Sequence, residues 1–162
     1  MKFLFQFFWV SLGVLFFVSC AEDQKRVIKT ASIEFTKEGE LTIYKGMSDS
    51  VITKYDIEIA ESDYETQTGL MYRESMGTDE AMLFIFPTVE YHSFYMKNTT
   101  LPLDILFIDE NLQIVSYKEN AKPLDESGIS SEFPIQYVLE VNAGQSQEHT
   151  ISVGDRIVFK RL

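Results

Sequence analysis

The chain has one cysteine, Cys20, so no intramolecular disulfide can staple its fold. It also lacks any stripe of Lys and Arg. Its 25 acidic residues outnumber 14 basic ones for a formal charge of −11, which argues against binding to a phosphate backbone and so against a nucleic-acid partner. The same balance is a common solubilising surface of exported proteins. The two histidines, His92 and His149, are far apart in sequence, and neither has a second ligand at metal spacing. No Gly-x-Ser-x-Gly elbow, phosphate-binding glycine loop or dinucleotide fingerprint occurs. There is no internal repeat and no low-complexity segment. No metal site, cofactor or catalytic constellation is therefore expected.

The first twenty residues carry an address. Lys2 is followed by an apolar run from Phe3 to Val18, interrupted by Gln6, Ser11 and Gly13, and then by Ser19-Cys20. A positive start, an apolar middle and a small residue at the cut are the order of a secretory signal. The run is shorter than the roughly 20 residues that span a bilayer, and no basic stop-transfer cluster follows directly. Phe17-Val18-Ser19-Cys20 resembles the lipobox of bacterial lipoproteins, with Phe17 where Leu is usual. Residues 1–19 are thus expected to be removed, leaving Cys20 lipidated and unavailable as a nucleophile. The protein would then be lipid-anchored in the cell envelope, on the periplasmic side or at the outer membrane. From Ala21 to about Thr36 the sequence is mixed polar, which suggests a flexible tether over 20–36 and a single domain over 37–162. Glu22 and Asp23 resemble the acidic signals that send some lipoproteins to the cell surface.

The domain reads as mostly β. Leu41 and Ile43, then Val51, Tyr55, Ile57 and Ile59, fall in two strand-like runs separated by the turn formers Gly46 to Ser50, which fits an antiparallel pair. Ser62 with Glu65 forms a capping-box pattern that opens a helical segment to about Met76, with Gly69 inside it. Six further strands are expected at 82–86, 92–97, 103–108, 113–117, 136–141 and 156–160, separated by turn signals. With 14% aromatic residues to fill a core, this predicts an α+β domain, mostly β with one short helix, built on a small antiparallel, barrel-like sheet. A monomer is expected.

Several ordered motifs run through the same region. Gly69-Leu70-Met71 with Arg73, Met82-Leu83-Phe84 with Phe86, and Tyr95-Met96-Lys97-Asn98-Thr99 come first. Pro102-Leu103-Asp104-Ile105, Phe107-Ile108-Asp109, Ala121 with Pro123, Tyr137-Val138-Leu139-Glu140 and Asn142-Ala143-Gly144 follow. Over about Ile57 to Phe159 the chain resembles the family called domain of unknown function 192. It departs from that pattern at Tyr95, where the family has tryptophan, and at Ala81, where it has glycine. The resemblance implies a small, mostly β domain with a short helix, and no established catalytic activity.

Two acids stand on strands that ought to be covered. In an extended segment Asp104, Leu106 and Ile108 share one face while Leu103, Ile105 and Phe107 share the other, so both faces are apolar. Glu140 sits in the same way among Tyr137 to Val141. A carboxylate there needs donors, and Arg73, Lys97, Asn98 and Thr99 are candidates. Asp104 is the first expected partner of Arg73, and Glu140 the next. These residues form either a structural lock of helix to sheet or a polar pocket beside Phe94, Tyr95 and Met96. Arg73, Tyr95, Lys97, Asn98, Asp104 and Glu140 are accordingly the candidate binding residues. Three functions compete: a non-enzymatic module binding a small molecule or glycan, a hydrolase of envelope material using Asp104 and Glu140 as acid and base, and an accessory protein docking on another envelope protein.

Overall fold

The computed structural model describes residues 33–162. The expected signal segment, Cys20 and most of the expected tether lie outside the described residues. Strands β1 (Gly39–Tyr44) and β2 (Val51–Ala60) form the antiparallel pair expected from their patterning. Helix α1 (Asp63–Thr68) then carries the chain to β3 (Glu80–Glu90). The remaining elements are β4 (Ser93–Phe94), β5 (Leu103–Ile108), β6 (Ile114–Ala121), β7 (Ile129–Ser130), β8 (Ile135–Asn142), α2 (Gln145–Glu148) and β9 (Arg156–Arg161).

Seven of these strands make one sheet in the order β6-β5-β8-β3-β2-β1-β9, while β4 and β7 pair separately. The expectation of a wholly antiparallel sheet is corrected at one place: β2 and β3 run parallel, with Glu58 opposite Met82. Parallel neighbours need a crossover, and residues 61–79, which contain α1, supply it. The sheet is not a closed barrel either. Its edge strands approach at a single bridge, Gln113 to Arg156, flanked by hydrogen bonds from Ile114 N–H to Asp155 O (2.8 Å) and from Ile157 N–H to Leu112 O (2.9 Å).

Strand β5 is buried at every position, so both of its faces are covered, as its sequence implies. One face contributes Leu106 and Ile108 to a core with Leu41, Ile57, Leu83, Leu139 and Val141. The other places Leu103, Ile105 and Phe107 against Met82, Phe84, Met96 and Val138. The sheet therefore separates two apolar layers. Any polar side chain pointing into either layer is removed from water.

Three local expectations change. Helix α1 ends at Thr68 rather than near Met76, because Gly69 adopts φ 46°, ψ −130°, a conformation open to glycine. The strand expected over 92–97 shrinks to Ser93–Phe94. The short elements β7 and α2 had no distinct sequence signal. The Ser62–Glu65 capping box is present in full, with Ser62 N–H donating to Glu65 Oε2 at 3.0 Å.

Candidate functional site

Cross-strand register builds the site. Glu58 of β2 lies opposite Met82 of β3, Met82 opposite Glu140 of β8, and Glu140 opposite Ile105 of β5. Residues directly opposite share a face, so two acids flank Met82 in one row, separated by about two strand spacings, or roughly 9–10 Å. The turn after α1 crosses this row. Thr68, Gly69 and Met71 line the space over Glu58 on one side and the space over Glu140 on the other. Gly69 is required there, since a Cβ would stand 2.9 Å from Phe84 Cζ.

The two acids are treated differently. Glu58 pairs with the Arg73 guanidinium, and its Oε1 accepts the backbone N–H of Thr36 at 2.7 Å. Both side chains of the pair are 9% exposed. Arg73 thus binds a carboxylate of the sheet, but the partner is Glu58 rather than Asp104 or Glu140. Geometry decides this: the turn that carries Arg73 sits above β2 and β3, whereas Asp104 lies on the opposite face. The Arg73 carbonyl also accepts the Thr100 hydroxyl at 2.9 Å, which ties this turn to the loop before β5.

Glu140 is 6% exposed and receives no hydrogen bond from any described residue. Loss of hydration with nothing to replace it pushes its carboxyl up to about 8. It lies in a cleft of about 200 Å³ walled by Phe84, Phe86, His92, Phe94 and Tyr95, with Gly69 and Met71 at the rim. The rings support one another. Phe84 meets Phe94 edge-on at 5.3 Å, and Phe86 stacks on His92 at 3.8 Å. His92 is held below its ordinary range by burial, and its Nε2 is buried without a partner among the described residues. A buried imidazole nitrogen without a partner and a carboxyl with no protein donor thus share one aromatic cleft, where a ligand could meet both.

Asp104 belongs elsewhere. It is opposite Val141, on the face of the other core, and is fully buried. Its Oδ1 accepts Asn120 N–H at 2.8 Å, and its Oδ2 accepts Gly144 N–H at 3.0 Å and Ser146 N–H at 2.9 Å. Backbone donors satisfy it where a charged side chain had been expected. It fastens the end of β6 and the β8–α2 turn to β5.

Of the remaining candidates, Tyr95 lines the cleft with Glu140 and is 45% exposed. Lys97 is exposed and lies outside that wall. Asn98 takes φ 56°, and its carbonyl accepts Tyr72 N–H at 2.9 Å, a turn-forming role. Sequence reasoning missed Glu58, Phe86 and His92. Glu58 had a usable signal, since Glu58 alternates with Ile57 and Ile59 on a strand that could be covered on both faces. His92 had none, because its place in the wall depends on Phe86 and on the β4–β7 pairing.

A mixed β-sheet domain with a small aromatic cleft over one unpaired buried carboxyl is the class that fold and site define. The chain belongs to the DUF192 family, described as "Uncharacterized ACR", whose model matches residues 45–159. Two solved structures are similar. One is a protein of unknown function from Novosphingobium aromaticivorans DSM 12444, 29% identical over 74% of this chain and 83% of that one, with a TM-score of 0.68. The other is a proposed transcription regulator from Sinorhizobium meliloti 1021, 37% identical over 78% of this chain and 97% of that one, with a TM-score of 0.72. No curated protein matches the chain.

Proposed function

We propose that the protein is a non-enzymatic envelope lipoprotein whose β domain binds a small molecule in the cleft over Glu140. The observation that carries this reading is the Glu140 carboxyl itself, nearly sealed from water and without a hydrogen-bond partner among aromatic walls. Such a group costs stability in the empty protein, and a ligand that pairs with it recovers that cost. A volume near 200 Å³ is below the usual range of about 300–1,000 Å³ for drug-sized ligands. The occupant is therefore no larger than one sugar ring or a comparable group. The paired-acid hydrolase loses its support, because Asp104 and Glu140 project to opposite faces of the sheet and cannot flank one bond. The regulator description of the Sinorhizobium protein is not carried over, since this chain's acidic excess suits DNA phosphates poorly.

Thermal unfolding across a panel of envelope sugars, amino acids, amines and nucleosides tests the binding reading. A ligand at about 100 times its Kd should add roughly 2.7 kcal/mol of stability, and Phe94→Ala should abolish the shift. A panel with no stabilising compound sinks it. The envelope address rests on the lipobox-like Phe17-Val18-Ser19-Cys20. Mass spectrometry should find a diacylglyceryl group on an N-terminal Cys20, and Cys20→Ser should leave the precursor uncut or release the protein from membranes.

A further inference from the structure

The walls of the cleft hold one acid, the polar rings of His92 and Tyr95, and no Lys or Arg. The nearest guanidinium, Arg73, lies on the far side of Met82 and is committed to Glu58. An anionic ligand would find no counter-charge here. A hard metal cation would find a single carboxyl where it needs several oxygen ligands. A weakly hydrated organic cation suits both features, because aromatic rings attract it and a carboxylate neutralises it. We propose that the cleft binds a small alkylated ammonium group, with Glu140 as its counter-ion and Phe84, Phe86, Phe94 and Tyr95 as its aromatic wall. This rests on the cleft being a ligand site.

The geometry carries a proton linkage. The empty cleft keeps a proton on Glu140 at pH 7, since burial pushes the carboxyl up to about 8. A cation bound beside it requires the charged form, so binding expels that proton: the carboxyl O–H breaks, its electron pair stays on oxygen, and the proton passes to solvent. Affinity should rise about tenfold per pH unit from pH 6 to 8 and then level off. The other groups facing Glu140 do not reverse this. His92 is kept below its usual range by burial, Tyr95 presents a phenol ring, and Glu58 is paired with Arg73 across Met82.

The test is calorimetric titration of the full chain in maltoside micelles with choline, with its uncharged isostere 3,3-dimethylbutan-1-ol, and with glucose. Choline is expected to bind at least tenfold tighter than the isostere at pH 8, with heats that vary with buffer in the sense of proton release. Glu140→Gln, which keeps shape and removes charge, should erase that preference. Competition by phosphocholine-headed lipid in the micelle would support a headgroup as the natural source, and its absence a free solute. Equal affinity for choline and the isostere, tight glucose binding without proton release, or choline binding indifferent to Glu140→Gln would overturn the proposal. In those cases the cleft remains a binding site for another class. If none of the three probes binds, the ammonium assignment fails, and the wider panel then decides the binding reading separately.

Discussion

Glu58 and Glu140 occupy equivalent places on either side of Met82, yet only Glu58 has a counter-charge. The contrast assigns them different work. An acid satisfied by Arg73 and by a backbone N–H fixes the turn after α1 onto the sheet. An acid left with aromatic neighbours stores an unmet interaction.

Removing Arg73 should therefore be costly. With both side chains nearly buried, Arg73→Ala strands Glu58 and is expected to lose about 3–5 kcal/mol of unfolding free energy in urea titrations. Replacing both partners, as Arg73→Met with Glu58→Gln, should recover much of that loss. A loss under about 1 kcal/mol for Arg73→Ala would show that the pair is open to solvent in solution.

Asp104→Ala removes the acceptor of three backbone N–H groups. Each donor left unsatisfied and buried costs about 1–3 kcal/mol, so the variant should unfold at markedly lower denaturant, with Asp104→Asn intermediate. Ligand affinity of the folded fraction should be unchanged, because Asp104 faces the other core. A selective loss of binding with normal stability would place Asp104 in the functional site after all.

Glu140 gives stability a pH dependence of defined sign. Its carboxyl titrates near 8 in the folded chain because of burial, against about 4.3 when unfolded. The folded state thus holds the extra proton between these values, and stability falls as pH rises through that window. The difference between wild type and Glu140→Gln should be small at pH 4. By pH 8 to 9 it should favour the variant by up to a few kcal/mol. Parallel stability curves over pH 4 to 9 would show that Glu140 is solvated.

Gly69→Ala tests how the cleft is framed. The φ of 46° and the 2.9 Å approach to Phe84 Cζ make the substitution cost more than about 1 kcal/mol by strain alone. Any relief must come from moving Phe84, so ligand affinity should fall along with stability. Denaturation and titration of the same sample separate the two effects.

Part of this site was legible in the sequence. The alternation in Leu103 to Ile108 exposed Asp104 as an acid on a doubly covered strand, and Glu140 was found by the same rule. What alternation could not supply was the partner. It gives the face of a side chain relative to its own strand, but the choice of Glu58 for Arg73 depends on β2 lying parallel beside β3, a pairing made through a crossover rather than a local turn. Ser131 shows the same limit: it is fully buried and donates its hydroxyl to Phe133 O at 2.7 Å, in a stretch between two expected strands where no element was placed.

By itself the sequence determined the family pattern, the capping box at Ser62, most strand positions and the placing of two acids on covered strands. These follow from local chemistry: side-chain periodicity, turn propensity and the cost of burying charge. Only the tertiary structure decided that Asp104 is held by backbone donors, that Arg73 turns to Glu58, and that Glu140 is left facing a cleft walled by Phe86, His92 and Phe94. Each of those outcomes depends on which strands become neighbours and in what register. That is settled by the packing of two apolar layers across one sheet, a property of the whole chain that no local stretch of it contains.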